Sequence, residues 1–214
     1  MVSGRRLRLR PGVGATFVLR SRRLVLRPLQ ADDYESWRDV RSRCRSWLLP
    51  WEPRASGMGY PEEDRATYNL RCDARDREWQ TGSGFAMGIF MPDERRLIGE
   101  VSLSSIQRGP FQSGFVGYWI DEACAGNGYA PEATAAILAF AFEQIGLHRV
   151  EVAIVPRNRP SRRVAEKLGL RSEGVAVSYL EIDGRWEDHV RYAITVEEWL
   201  ARRGQYVGEW LGGH

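Results

Sequence analysis

The segment from residue 114 to residue 155 constrains the fold more than any other part of the chain. It reads as a strand, GFVGYWID, a loop with two glycines, the segment PEATAAILAFAFEQIGL, and a second strand, RVEVAIV. The long segment is apolar nearly all round, which predicts a buried helix, and Pro131 suits its first turn because an N–H there has no helical partner. A strand, a helix and a strand in this order form a crossover that predicts two parallel strands.

The sequence on either side of this crossover predicts antiparallel strands. GFAMGIF, RLIGEVSLSSI and GFVGYWID follow one another with short links, and GVAVSYLEI and DHVRYAITV flank an Asp183-Gly184 turn. Amphipathic helices are predicted near residues 30–49 and 62–80, and a short helix within RPSRRVAEKLG. The predicted fold is a single α/β domain (α+β in some schemes), with a mixed, mostly antiparallel twisted sheet and helices on both faces.

Composition excludes several classes of protein. The 214 residues are 43% hydrophobic and 28% charged, which is globular rather than disordered or fibrous. No uncharged apolar run approaches the roughly 18 residues of a membrane span. The three cysteines, Cys44, Cys72 and Cys124, suit neither a disulfide framework nor a zinc site. We therefore expect a cytoplasmic protein without a bound metal or membrane contact, and the sequence leaves monomer and homodimer both open.

The basic residues are distributed unevenly. Residues 1–31 contain eight arginines and no acidic residue, whereas the whole chain has a formal net charge of only +3. The stretch 1–22 is predicted to be either a basic arm that contacts nucleic acid or ribosomes, or an edge hairpin, since LRLR and VLRSRRLVLR alternate at strand period. The predicted domain covers residues 23–197, and residues 198–214 form a predicted tail.

The loop between the first crossover strand and its helix carries the clearest sign of ligand binding. Its small residues let backbone N–H groups approach a ligand, and the following helix N-terminus favours an anion such as a phosphate or diphosphate. A plain connecting turn is the alternative. A Rossmann site lacks its third glycine, and neither a GK[ST] nor a G-x-S-x-G motif is present. The loop residues are Ala125, Gly126, Asn127, Gly128, Tyr129 and Ala130.

A second motif, NRPSRRVAEKLGL, follows the next strand. Asn158 can cap the helix that begins there, or present its amide to a ligand. Ser161 lies in the first turn of the same helix. Because the crossover returns the chain to the same edge of the sheet, both loops are predicted to border one cleft.

These two motifs at this spacing resemble the Gcn5-related N-acetyltransferase (GNAT) family, over about residues 24–196. The resemblance is greatest to the ribosomal-protein N-terminal alanine acetyltransferases. It implies a splay between the fourth and fifth strands of that fold, and acetyl-CoA as co-substrate. The loop 125–130 would cradle the pyrophosphate, and Trp119, Ile120 and Asp121 would lie along the pantetheine arm. Asn158 and Ser161 would lie near the thioester.

One departure from the family pattern concerns charge. Ala125 stands where the family has Arg or Gln, so one side-chain contact to the cofactor is lost. Arg162 or Arg163 is predicted to supply the charge instead, although a solvated surface position is the alternative for both.

The resemblance also implies direct attack of an amine on the thioester. Ser161 is the candidate acid for the sulfur, with Asn158 beside it, and the candidate bases are Glu100 and Glu181 on central strands. Tyr118 and Trp119 are expected either to wall the substrate slot or to pack in the core. The acidic residues of the two early helices would attract a cationic acceptor.

The leading hypothesis for the acceptor is a protein N-terminal α-amine, such as that of a ribosomal protein. The alternatives are a small amine, such as an aminoglycoside or polyamine, and a non-catalytic RNA- or ribosome-binding module with a degenerate CoA site.

Overall fold

The structure is a computed structural model that describes residues 17–53, 64–94 and 96–212. Its strands are β1 (Leu19–Arg20), β2 (Val25–Arg27), β3 (Phe85–Phe90), β4 (Leu97–Gln107), β5 (Ser113–Ile120), β6 (Arg149–Ile154), β7 (Arg171–Ile182) and β8 (Arg185–Thr195). Its helices are α1 (Tyr34–Arg43), α2 (Arg45–Leu48), α3 (Arg65–Thr81), α4 (Tyr129–Ala139), α5 (Arg159–Lys167) and α6 (Val196–Tyr206).

The eight strands form one mixed sheet in the order β1-β2-β3-β4-β5-β6-β8-β7. The neighbours β5 and β6 are parallel, and the other neighbouring pairs are antiparallel. Helix α4 makes the crossover between the two parallel strands. This arrangement confirms the predicted fold class.

The alternation of side chains along the strands supplies an apolar surface to each face of the sheet. On one face Val25, Phe90 and Leu97 pack with aromatic residues of α1 and α3. The opposite face carries the larger core, in which α4 and α6 cover residues such as Leu26 and Ile98. Helices therefore lie on both faces, as predicted.

The predicted early helices are present with one difference. The first is interrupted at Cys44, whose backbone (φ −94°, ψ 10°) leaves helical geometry and separates α1 from α2. Helix α3 begins after Asp64, whose carboxylate accepts a hydrogen bond from Thr67 N–H. It ends at Gly82, whose positive φ of 68° closes the helix as glycine commonly does. Predicted helical positions 62 and 63 lie outside the described residues.

Helix α4 is the buried helix that the sequence predicts. Its residues from Pro131 to Leu138 are all buried, and a π-helical turn, Phe140–Gln144, continues it. The small alanines on its surface allow close packing against β4 and β5.

The two terminal segments contribute to the domain. Residues 1–16 of the predicted arm lie outside the described residues. Residues 17–22 contain β1, which pairs with β2 as an edge hairpin. At the other end, α6 begins at Val196, so the predicted boundary at residue 197 falls inside a helix. Trp199 of that helix is fully buried and stacks between Phe142 and Tyr206.

Within the described ranges, no group of three or more His, Cys, Asp or Glu side chains could hold a metal ion. No helix there is long and apolar enough to cross a membrane. The three cysteines are free thiols.

Candidate functional site

A large cleft opens where β5 and β6 separate. Parallel pairing between them covers only Ser113 to Phe115 on β5, yet β5 continues to Ile120 and β6 to Ile154. Beyond Phe115, every second N–H and C=O of β5 therefore faces the gap rather than a partner strand. The cleft has a volume of about 1670 Å³ and runs from the glycine loop to the aromatic residues after α1.

The glycine loop forms one end of this cleft. Gly126 and Gly128 have φ values of +83° and +81°, a conformation that favours glycine. No side chain caps the N-terminus of α4. Among the described residues, no acceptor is found for the N–H groups of Gly126, Asn127, Gly128, Tyr129 and Ala130. Five unpaired donors at the positive end of a buried helix form a site for an anionic group.

The predicted loop residues have different orientations. Ala125, Gly126, Gly128, Tyr129 and Ala130 line the cleft. Asn127 instead folds its side-chain amide back onto the loop, where Nδ2 donates to the carbonyl oxygens of Cys124 (3.2 Å) and Ala125 (3.4 Å). Asn127 therefore stabilises the shape of the loop.

Trp119 and Ile120 line the cleft, but Asp121 does not. Its carboxylate is fully buried, where it accepts from Arg43 and from the thiol of Cys44 (3.3 Å). Burial by itself raises the pKa of Asp121, but the bonds from Arg43, Cys44 and the Ala123 N–H outweigh it and hold the pKa below its usual value. Asp121 thus ties the end of α1 to the start of the glycine loop.

Asn158 and Ser161 border the cleft opposite β5. Asn158 Oδ1 accepts from Ser161 N–H (3.2 Å), which is the capping role expected from the sequence. Ser161 Oγ donates to the hydroxyl of Tyr118 (3.0 Å), which in turn donates to the Ser161 carbonyl (2.9 Å). Burial raises the pKa of the Tyr118 hydroxyl, so this pair keeps its protons at neutral pH.

The two predicted bases are placed differently. Glu100 is buried beside the cleft, where it accepts from Trp37 Nε1 (2.9 Å) and forms an ion pair with Arg71. Both of its oxygens are therefore engaged, Oε1 by Trp37 and Oε2 by Arg71. Glu181 is half-buried on β7, whereas its neighbours Leu180 and Ile182 line the cleft. Glu181 itself is not among the residues that line the cleft.

Arg162 is turned away from the predicted cofactor. Its Nε donates to the Tyr192 hydroxyl (3.2 Å) and its Nη1 to the carbonyl of Pro156 (3.3 Å). Arg163 and Lys167, on the adjacent helical positions, line the cleft instead.

His189 on β8 is a cleft residue that the sequence did not single out. It is 2% exposed, lines the cleft, and its Nδ1 lies 2.9 Å from the carbonyl oxygen of Glu187. Because a carbonyl only accepts, Nδ1 carries the proton in the neutral ring and Nε2 carries the lone pair. No pattern in the sequence could reveal this, since it depends on where β8 lies relative to the splay.

The end of the cleft opposite the glycine loop is aromatic and basic. Trp37, Trp47, Trp51 and Tyr68 line it. Among the described residues, the charged side chains that line the cleft are five cations and two carboxylates: Arg41, Arg71, Arg75, Arg163, Lys167, Glu52 and Glu100. Of the acidic residues predicted to attract a cationic acceptor, those that the structure describes are not among the lining residues. Asp33, for example, pairs with Arg27 at 2.7 Å. Helix α3 contributes Arg71 and Arg75 to the lining instead, and Glu62 and Glu63 lie outside the described residues.

Known proteins resemble this chain over most of its length. The family model described as Acetyltransferase (GNAT) domain matches residues 23–171. Probable N-acetyltransferase YjcK of Bacillus subtilis is 34% identical over 177 residues, 83% of this chain and 96% of that protein. The [ribosomal protein uS5]-alanine N-acetyltransferase of Escherichia coli is 34% identical over 184 residues, 85% and 92% of the two chains. Among solved structures, Mycobacterium smegmatis RimJ in complex with CoA-disulfide superposes with a TM-score of 0.77 at 29% identity, covering 88% and 94%.

Proposed function

The chain belongs to the GNAT acetyltransferase family, and we propose that it transfers the acetyl group of acetyl-CoA to the N-terminal α-amine of a protein. The observation that carries this proposal is the cleft at the β5–β6 splay, with unpaired N–H donors at one end and a broad aromatic opening at the other. The uS5-alanine N-acetyltransferase relative supports a ribosomal protein as acceptor, which would place the reaction in the cytoplasm.

The residues of the cleft fit acetyl-CoA. The N–H groups of residues 126–130, which have no acceptor among the described residues, would hold its diphosphate in place of the side chain that Ala125 lacks. The unpaired edge of β5 would bind the pantetheine arm, and Arg163 and Lys167 add positive charge nearby. The cofactor supplies the acetyl thioester, and the chain supplies binding, orientation and proton transfer.

Protonation favours an α-amine over a lysine as acceptor. An α-amine has a pKa of roughly 7.7–8.0, so about a tenth to a sixth is neutral at pH 7, whereas a lysine near 10.4 is about 0.04% neutral. A modest base is therefore sufficient. We assign this role to His189, which lines the cleft and whose Nε2 has no hydrogen-bond partner among the described residues. Glu100 has both oxygens paired, and Glu181 does not line the cleft.

The leaving thiolate needs a proton. The hydroxyls of Ser161 and Tyr118, which hydrogen-bond to each other beside the splay, are the candidate donors. Asn158 holds the first turn of α5, and so holds Ser161 in position.

The charge of the cleft opposes the small-amine alternative. The described part of the lining has five cations and two carboxylates, an excess of positive charge that would repel a polyamine or aminoglycoside, which carries several positive charges. A peptide N-terminus carries one charge at most and can place its apolar side chain against the aromatic wall.

The test is release of free CoA thiol from acetyl-CoA with matched acceptors. Two peptides have the same sequence, which starts with Ala and contains an internal lysine; one has a free N-terminus and the control has a blocked N-terminus. Spermidine and an aminoglycoside complete the series. We expect turnover with the free N-terminus alone. Turnover with spermidine or the aminoglycoside but neither peptide would establish the small-amine alternative instead.

The base is tested with His189→Gln. At pH 7 we expect a loss of about 10²-fold in kcat, the lower range for removal of a general base. The variant should approach the wild-type rate as pH rises, because the amine then loses its proton without help. A loss that stays constant up to pH 9 would exclude His189 as the base.

Ribosome contact through residues 1–16 stays a prediction. Truncation before Phe17 keeps the β1–β2 hairpin and removes four arginines. If the arm guides the enzyme to ribosomes, the truncated chain should acetylate a short peptide normally but bind ribosomes more weakly, with a smaller salt dependence. If the truncated and full-length chains bind ribosomes equally at every salt concentration, residues 1–16 do not contact the ribosome.

A further inference from the structure

Arg23 occupies a distinctive position behind the glycine loop. It lies in the turn between β1 and β2, and its guanidinium reaches the start of α4, where Nη1 donates to the carbonyl oxygen of Asn127 (3.1 Å). The same group lies 4.7 Å from the centre of the Tyr129 ring. Arg23 is not among the residues that line the cleft, whereas Gly128 is. The loop therefore separates Arg23 from the space where a diphosphate would bind.

Glu132 explains why an arginine is needed there. This carboxylate is 1% exposed in the first turn of α4, close to the anion site. It pairs with Arg23 through Nε and Nη2, both at 2.7 Å, and also accepts from Arg23 N–H (2.6 Å) and Ser21 Oγ (2.9 Å). Without Arg23, a buried negative charge would stand beside the unpaired N–H donors and oppose an anionic ligand.

The hydrogen bond to Asn127 has a second consequence. In a trans peptide unit the C=O and the next N–H point in opposite directions. Because the Asn127 carbonyl points back to Arg23, the N–H of Gly128 points away from Arg23, and it has no acceptor among the described residues. A side chain from the far end of the sheet thus orients a donor of the loop.

We propose that Arg23 is a positioning residue for the diphosphate of acetyl-CoA: it holds the Asn127–Gly128 peptide so that the Gly128 N–H faces the cleft, and it neutralises Glu132. This role compensates in part for Ala125, which carries no charge. The inference rests on the proposed function, and it concerns a residue that does not touch the ligand.

The experiment separates orientation of the loop from neutralisation of Glu132. Arg23→Met removes both, whereas Arg23→Met with Glu132→Gln removes the carboxylate charge but keeps an oxygen that accepts from Ser21 Oγ and from the N–H of residue 23. Arg20→Met is the matched control. Arg20 lies in the same β1–β2 hairpin as Arg23 but pairs with Glu94 rather than with the glycine loop. Each protein is measured for melting temperature, for acetyl-CoA Kd by calorimetry, and for the Kd of pantetheine by displacement.

We expect the double variant to recover the melting temperature lost in Arg23→Met. Its acetyl-CoA Kd should stay about tenfold weaker than that of wild type, and its Kd for pantetheine, which lacks the diphosphate, should be unchanged. Arg20→Met should match wild type for both ligands. Wild-type acetyl-CoA affinity in the double variant, or equal weakening of both ligands, would overturn the proposal. Absence of acetyl-CoA binding to the wild-type protein would instead overturn the proposed function.

Discussion

Replacement of Gly126 by alanine tests whether the glycine loop binds the diphosphate, and a second glycine controls for backbone strain. Gly126 has a φ of +83°, and a Cβ there would meet no atom within 4 Å. Gly109, in an exposed turn outside the cleft lining, has a φ of +68° and equally open surroundings. An L-residue in this conformation costs about 1–2 kcal/mol. Gly126→Ala and Gly109→Ala should therefore lower the free energy of unfolding by similar amounts.

Their effects on ligand binding should differ. The new methyl group at position 126 lies among the N–H groups of residues 126–130, which have no acceptor within the described part of the chain, so it would hold a diphosphate away from them. Loss of one hydrogen bond to a charged group costs about 1.5–3 kcal/mol, which weakens the Kd by about 10- to 100-fold. Gly109→Ala should leave the Kd unchanged.

Urea unfolding gives the stability of each variant, and calorimetry gives its Kd for acetyl-CoA. Because the two variants should lose similar stability, partial unfolding would not explain a difference between their Kd values. Wild-type affinity for acetyl-CoA in Gly126→Ala, or equal weakening in Gly109→Ala, would refute binding of the diphosphate by this loop.

Three further predictions concern catalysis and stability. Ser161→Ala and Tyr118→Phe should each lower kcat by about 10²-fold, and the double variant should lose little more, because the two hydroxyls act as one hydrogen-bonded pair; additive losses would contradict this. Trp199→Ala, at a fully buried site, should destabilise by about 3–5 kcal/mol in urea unfolding, whereas Trp186→Ala, at a 65% exposed site, should change stability by less than about 0.5 kcal/mol. Burial by itself raises the pKa of Glu151, but the hydrogen bonds from Arg149 and Arg191 outweigh it and hold the pKa below its usual value. The stabilisation by Glu151 is therefore complete above the unfolded-state pKa of about 4.3, and it is lost as pH falls through the lower folded-state pKa. In Glu151→Gln, the free energy of unfolding should fall less steeply with decreasing pH between about pH 5 and 2.

The strands and the central helix were predictable because they depend on local patterns. The apolar segment after Pro131 is buried as helix α4, and the Asp183-Gly184 turn joins β7 to β8 as its residue types indicate. The break at Cys44 was not predictable, because the helical spacing of apolar residues continues through it. The burial of Trp199 also escaped prediction, since one tryptophan in a polar segment does not reveal a core position.

The sequence by itself determined the crossover, the parallel strand pair and the two loops that border one cleft, because residue periodicity and turn-forming residues act over short distances along the chain. Only the tertiary structure decided the direction of each side chain at the cleft. It turned Asp121 and Arg162 away, paired Glu100 with Arg71, brought His189 to the cleft and placed Arg23 behind the glycine loop. The contacts of Asp121, Arg162, Glu100 and Arg23 join residues far apart in the chain, and the place of His189 depends on how β8 pairs with β6. They follow from the register and packing of the strands, which a single sequence does not display.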